Sequence, residues 1–332
     1  MMACLAPPTA VPLSVVIGTR DRPDDLHDCL SCLVAQETKR KVEVIVVDNN
    51  PSSGLTAQVV AMFPGVRLMR EERQGVARAR NVGILASSGE IIVTVDDDVR
   101  MPPDWLERLV APFSRSDLMA VTGNVLPLER ETAAARLFEA YGGLGRGTES
   151  FDVDGEWFNS FRLRAVPTWN LGGTANAAFR RSVFSDPRIG LMNEMLGPGM
   201  PAGVGEDTYL FYRMLKAGGR IRYEPSAYVW HRHRRELRGL HRQIYAYSKG
   251  HVAYHLVTLL WDHDWRAVTR LLAALPLTHL RRILRRTARS AERQMLRVTL
   301  IEIAGNIAGP WSLWRSYRIV KRQSRDASCA SV

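Results

Sequence analysis

The chain has 332 residues, of which 46% are hydrophobic and 24% charged, an ordinary globular balance with length for one large core or two smaller domains. Its formal net charge of +11 is lopsided, because residues 231–332 carry 20 Lys and Arg against 6 Asp and Glu, leaving residues 1–230 slightly acidic. No stretch reaches the roughly 18 uninterrupted apolar residues of a membrane span, which excludes a spanning helix; the best candidate, Leu271 to Leu280, is short and contains Pro276 and His279.

The first residues, Met1 to Pro8, lack the basic start and long apolar run of a secretory signal and read as part of a disordered lead, residues 1–11. An apolar strand, Leu13 to Gly18, then leads into Thr19-Arg20. Helical spacing follows from Asp24 to Ala35, with Leu26, Cys29, Leu30 and Leu33 on one face. The Cys29-x-x-Cys32 pair therefore reads as core, since no second ligand pair completes a zinc site. Cys4 and Cys329 fall in the tails, nothing demands an oxidising compartment, and a cytoplasmic setting is expected.

The next strands are Val42 to Asp48, running into Asn49-Asn50, and Val66 to Arg70. A helix from Gly75 to Ala86 carries Arg78 and Arg80 and precedes the strand Glu90 to Val95, which ends on Asp96-Asp97-Asp98; a fifth strand is Leu118 to Thr122. Strand and helix patterns in alternation predict right-handed crossovers and a mainly parallel sheet. Apolar strands that end in polar residues read as a buried parallel sheet whose tips converge on one crevice.

The acidic triplet needs cationic compensation. A magnesium-like ion uses one or two protein carboxylates and takes its other ligands from water and phosphate, so the triplet points to a metal-bridged nucleotide; a solvated acidic turn is the plainer alternative. Along an extended strand Asp96 and Asp98 point one way and Asp97 the other.

Residues 130–170 are rich in glycine and aromatics, including Tyr141, Phe151, Trp157 and Trp169, a composition that suits a segment covering a site. Trp169 could offer an apolar platform, and Gly172-Gly173 would let backbone come close to a ligand. Gly205-Glu206-Asp207 precedes a helical run, Thr208 to Leu215, where acidic residues could simply stabilise the helix start. His231 closes the strand Ala227 to Trp230, with His233 close by. Beyond it the pattern is helical, as in Leu237, Leu240, Ile244, Tyr247, His251 and Tyr254.

The strand tips, Gly75 to Asn81, the Asp triplet, Gly172 to Asn176, Gly205-Glu206-Asp207 and His231 together resemble glycosyltransferase family 2, over roughly residues 12–235. The resemblance implies an α/β fold of GT-A (Rossmann-like) type, a mainly parallel sheet flanked by helices, with a basic α-helical C-terminal extension. It implies a catalytic domain over 12–235, divided into a nucleotide-binding half at 12–125 and an acceptor half at 126–235, followed by basic amphipathic helices at 236–332. The activity implied is inverting transfer of a sugar from a nucleotide sugar, UDP-linked by preference, with Mn2+ or Mg2+. Thr19 and Arg20 belong to the nucleotide cradle, Asp48 faces the base, and Arg78 and Arg80 approach the uracil or diphosphate, unless these arginines form a solvated helix face. Asp98 ligates the metal, Asp96 or Asp97 contacts ribose or a metal-bound water, and His231 completes the metal shell. Asp207 is the general base, with Glu206 the runner-up or an acceptor-positioning residue, and Gly172, Gly173 and Trp169 meet the acceptor. The chain departs from the processive synthases of the family by lacking their Gln-x-x-Arg-Trp signature, so single-sugar addition to a glycan or lipid-linked acceptor of the cell envelope or an exopolysaccharide is expected.

Two other readings compete. A nucleotidyltransferase would share the sheet and acids, yet a Gly-rich, Lys-bearing phosphate loop is missing. The arginines after residue 231 could mark a non-enzymatic nucleic-acid-binding protein. Arg281, Arg282, Arg285, Arg286 and Arg289 alternate with Leu280, Ile283 and Leu284, and Trp311, Trp314 and Tyr317 sit among Arg315, Arg318 and Lys321. That interleaving favours an anionic membrane surface over nucleic acid, and a peripheral place on the cytoplasmic face. Packing of the same apolar faces on the catalytic domain is the alternative.

Overall fold

The computed structural model describes residues 12–284 and 290–330. The expected lead at 1–11 and the arginines Arg285, Arg286 and Arg289 lie outside the described residues. The chain runs β1 (Leu13–Thr19), α1 (Pro23–Val34), β2 (Val42–Asp48), α2 (Leu55–Val60), β3 (Val66–Arg70), α3 (Val76–Ala86), β4 (Ile91–Asp96), β5 (Val99–Arg100) and α4 (Trp105–Val110). It continues with β6 (Leu118–Pro127), α5 (Ala133–Tyr141), β7 (Phe151–Val153), α6 (Gly155–Ser160), β8 (Asn176–Arg180), α7 (Ser182–Ser185), α8 (Glu206–Lys216) and β9 (Arg220–His231). The helices α9 (Leu237–Asp262), α10 (Arg266–Thr269), α11 (Leu275–Leu284) and α12 (Ser290–Ala330) complete it, with one wide turn, Arg270–Ala274, joining α10 to α11.

The strands form one sheet in the order β3-β2-β1-β4-β8-β6-β9-β5, with β7 on β9. The pairs among β1 to β4 and β6 with β9 are parallel, whereas β8 runs antiparallel between β4 and β6 and β5 runs antiparallel to β9. The period-two alternation of the strands sorts the core into two layers. Leu13, Val15 and Ile17 of β1 and Ile91, Val93 and Val95 of β4 pack with Leu26, Cys29, Leu30 and Leu33 of α1 on one face. Val16 and Ile92 point to the other face, where Ala77 and Ile84 of α3 and the apolar side of α8 cover them. Cys29 is thus core, as its helical spacing indicates.

Residues 130–170, rich in glycine and aromatics, hold α5, β7 and α6. The antiparallel β8 was not foreseen from sequence; Asn176 at its start is fully buried and joins Trp105, Asn124 and Ala227 by hydrogen bonds across three elements.

The C-terminal helices are bound to the body of the protein. A side chain at Gly309 of α12 would strike Val252 of α9, and one at Gly250 of α9 would strike the backbone of Val204, so small residues let these surfaces touch. Ser316 of α12 accepts a buried hydrogen bond from the Ala202 amide, and Lys249 donates to the Pro201 carbonyl. The segment held this way leads directly into Glu206 and Asp207.

Candidate functional site

The parallel strands deliver their polar ends to one crevice, and the two-residue strand β5 finishes the arrangement. Its pairing sets Val99 opposite His231, and the Arg232 amide donates to the Asp98 carbonyl at 3.1 Å. Asp98 and His231, far apart in sequence, are thereby fixed side by side. Ligand atoms of Asp96, Asp98 and His231 all lie within 4.8 Å of one another.

This trio fits a divalent cation on its own geometry. Two carboxylates and an imidazole are a donor set for manganese-like ions. Asp98 Oδ1 is buried without a hydrogen-bond partner, lying 3.2 Å from His231 Nε2 but off the line of a hydrogen bond. An orphaned anionic oxygen in a buried site is costly unless a cation serves it. The second nitrogen of the imidazole, Nδ1, faces His233 Nδ1 at 3.3 Å, and His233 Nε2 meets Glu139 at 3.0 Å, so the ring is held from behind.

Asp97 turns the other way. Its carboxylate accepts from Thr19 Oγ1 at 2.7 Å and from Arg22 at 2.9 Å, and the same arginine reaches Asp98 Oδ2 at 2.8 Å. Burial raises the Asp97 carboxyl to about 6, aided by the Asp98 charge and opposed by Arg22. Asp98 behaves oppositely: burial would raise it, but the His231 and Arg22 charges outweigh burial and hold it low. His231 is pushed above its ordinary value, because the attraction of Asp98 exceeds the cost of burying its charge.

Of the remaining nucleotide-cradle candidates, Thr19 and Arg20 line the crevice, the former buried and the latter exposed. Asp48 is buried at the tip of β2 and accepts from the Asn50 amide at 3.0 Å; its neighbour Asn49, not Asp48, is at the crevice wall. Neither arginine of α3 is a solvated helix face. Arg80 is buried between Asp96 and Glu206, its two terminal nitrogens 2.5 and 3.1 Å from their carboxylates. Arg78 is buried away from the crevice wall, with Nε 3.5 Å from Glu194.

The two acids at the start of α8 divide. Glu206 is buried, held by Arg80 and by the Gly205 amide at 3.1 Å, and pushed up to about 7 by burial and by the charge of Asp207. Asp207 is half-buried and lines the cavity, its Oδ1 taken by the Thr208 amide. A side chain at Gly173 would come within 3.1 Å of Asp207 Oδ2, so the glycine keeps the space in front of this oxygen clear. Gly172 has a different role: its φ of +103° and the closeness of Thr122 both require glycine. Trp169 lines the same cavity, one face covered by the Arg270 guanidinium 4.9 Å away.

Sequence reasoning missed Arg22, which neutralises two of the three aspartates from the first turn after β1. Its only signal was a basic residue close behind a strand tip. It also missed the extent of the cavity, about 1210 Å³, whose walls include Tyr247, His251 and Arg270 together with His279, Arg282 and Asn306 from the C-terminal helices.

Residues 14–186, more than half of the chain, match Glycosyl transferase family 2. The chain is 29% identical over 181 residues to glycosyltransferase AglE of Haloferax volcanii, covering 52% of this chain and 54% of that protein. It is 26% identical over 223 residues to the succinoglycan biosynthesis protein ExoM of Rhizobium meliloti, covering 65% of each. The matches thus span about half to two-thirds of these relatives' lengths. The fold is similar to that of the mannosyltransferase PcManGT of Pyrobaculum calidifontis, solved with GDP-Man and Mn2+, at a TM-score of 0.61 and 17% identity, over 93% of this chain and 90% of that one.

Proposed function

Because the chain belongs to glycosyl transferase family 2, we propose that it is a metal-dependent inverting transferase that moves a sugar from a nucleotide sugar to a hydroxyl of a glycan or lipid-linked acceptor. The observation that carries this reading is the convergence of Asp96, Asp98 and His231 on one point of the crevice that also holds Asp207.

Asp98 and His231, with Asp96, would hold Mn2+ or Mg2+, which when bound draws charge from the departing diphosphate as a Lewis acid. Thr19, Arg20 and Arg22 line the crevice and would border the nucleotide. Arg80 fixes Asp96 and Glu206 in one buried unit, so the donor side and the start of α8 keep a constant separation. Asp207 is the general base: its outer oxygen faces the cavity over Gly173, whereas Glu206 is already committed to Arg80. A carboxylate in hydrogen-bond reach of the acceptor hydroxyl accepts its proton as attack proceeds.

UDP remains the preferred nucleotide on the family resemblance; the GDP-Man of the neighbouring mannosyltransferase makes guanine the alternative. Slow donor hydrolysis over a panel of UDP and GDP sugars, with and without Mn2+, tests the proposal. One donor should be hydrolysed only with metal; metal-independent turnover, or none with any sugar, would contradict it.

We also propose a peripheral position on the cytoplasmic membrane face. Most of the exposed large hydrophobic side chains among the described residues follow residue 259, among them Trp265, Leu272, Leu284, Ile307 and Trp311. Trp311 and Trp314 stack at 4.4 Å, with Arg318 and Lys321 over Trp314 and Tyr317, the mixture of aromatic and basic groups suited to an anionic headgroup layer. The full chain should float with anionic and not neutral vesicles and be released by salt; indifference to vesicle charge would refute this.

A further inference from the structure

The cavity does not stop at α8. It continues between α5, α9, α11 and α12 into an arm whose charges are of the opposite kind. Near the aspartates the walls hold anions matched by Arg22, Arg80 and His231. In the arm the walls hold guanidinium groups with too few anions to match them.

Arg270 lies over Trp169, and its Nε donates to His251 Nε2 at 3.1 Å. It makes no ion pair among the described residues, and burial together with the nearby charge of Arg282 lowers its pKa. Arg146 is likewise without an ion pair among the described residues. Its head donates to the Gly145 and Trp169 carbonyls, its buried Nε has no partner, and it lies near enough to Asp207 to feel that charge. The one acid in the arm's wall among the described residues, Glu302, is already used by Arg282 at 2.6 Å and by the Tyr141 hydroxyl at 2.7 Å. The two imidazoles in this wall stay neutral: burial and Arg270 push His251 down to about 3, and burial lowers His279. His279 Nε2 instead meets Asn306 at 2.7 Å.

Unpaired cations withdrawn from water are costly. When they face a roomy cavity rather than packed core, an anion supplied from outside removes that cost. Planar guanidinium forks donate paired hydrogen bonds to phosphate oxygens.

We propose that this arm is the subsite for a phosphate or diphosphate group carried by the acceptor, with Arg270 and Arg282 as its principal donors and Arg146 on the side toward Asp207. The inference rests on the transferase reading, since it assigns the arm to the acceptor. The hydroxyl to be glycosylated then lies near Asp207 while the anionic group lies deeper, so the arm selects acceptors that are phosphorylated some distance from the reacting hydroxyl.

The test is calorimetry on the full chain in EDTA, which disables a metal-dependent donor site, titrating inorganic pyrophosphate and, separately, geranyl diphosphate. Both should bind. Arg270→Gln and Arg282→Gln should each weaken binding about ten- to a hundredfold, the range for a charge-assisted hydrogen bond. Arg270→Lys should fall between wild type and Arg270→Gln, and melting temperatures of all variants guard against misfolding. Arg188→Gln, a change at an exposed arginine paired with Asp186, should bind as wild type. Tighter binding of geranyl diphosphate assigns the group to a lipid, and equal binding assigns it to a soluble phosphate; either supports the phosphate subsite. Absence of binding by both probes, or affinity unchanged in both glutamine variants, would overturn it. A parallel titration of wild type with UDP and Mn2+ reports on the donor site alone, so failure of the transferase reading would be seen separately.

Discussion

The two ends of the cavity solve the problem of buried charge in opposite ways. At the strand tips each anion has a cation: Asp97 and Asp98 share Arg22, Asp98 also meets His231, and Asp96 and Glu206 share Arg80. In the arm Arg146 and Arg270 have no carboxylate partner among the described residues, and Glu302 serves Arg282. The strand-tip network is balanced except at Asp98 Oδ1, which is buried without a hydrogen-bond partner and leaves a place for one cation. The arm is unbalanced in the other sense and lacks anions. On the proposed reading the donor end lacks only a cation, the metal, and the arm lacks an anion, the phosphate of the acceptor.

The largest expected effect lies where the two ends meet. Asp207→Asn keeps the shape of the side chain but cannot accept a proton, and turnover with saturating acceptor should fall about a hundred- to ten-thousandfold while nucleotide affinity stays the same. Single-turnover kinetics measure this; a near-normal rate would move the base elsewhere. On the balanced side, Arg80→Met leaves Asp96 and Glu206 without their shared cation and should cost about 3–5 kcal/mol of stability in denaturant unfolding. A loss under about 1 kcal/mol would mean that the buried pair is not the unit described.

Glu206 supplies a pH test of the same network. Its carboxyl, raised to about 7, keeps a proton in the folded state at pH values where an unfolded glutamate, ordinarily near about 4.3, has released it. The folded state therefore binds the extra proton between about pH 4.5 and 7, and the stability this group contributes falls as pH rises through that window. The change should amount to about 1–3 kcal/mol, and Glu206→Gln should remove that part of the slope; identical slopes in thermal unfolding would contradict the assignment. The smallest effect belongs to the unbalanced end. Arg270→Met discards a cation without a carboxylate partner along with its stacking on Trp169, worth about 0.5–1 kcal/mol at exposed sites, so the ligand-free protein should change stability by less than about 1 kcal/mol. A loss like that of Arg80→Met would show that Arg270 is as well compensated as the donor-side arginines.

The same contrast explains what the sequence made legible. The donor end is built from strand tips, and an apolar run that ends in Thr19, Asp48 or Asp96 announces both the strand and its end by local pattern alone. Residues brought in from a distance carried no such mark. Arg22 reads as one more polar loop residue until the turn after β1 folds it onto the aspartates. Arg78 and Arg80 are two residues apart on one helix, yet one meets Glu194 and the other joins Asp96 to Glu206, a separation that depends on packing against α8. The acceptor arm was the least legible part. Its residues come from α5, α9, α11 and α12 and from the segments at Arg146 and Arg270 between helices; helical patterns were read after residue 231 without indicating which faces would close around a cavity, and α5 was not read at all.

The central claim is that Asp96, Asp98 and His231 form a metal site that works together with a nucleotide. Electron paramagnetic resonance of Mn2+, titrated into the full chain with UDP or GDP, measures this directly through the signal of the free ion. Wild-type protein with its nucleotide should deplete the free-ion signal, and Asp98→Ala, which removes the orphaned carboxylate oxygen, should leave most of it. Equal depletion by both proteins, or none by wild type with either nucleotide, would contradict the account.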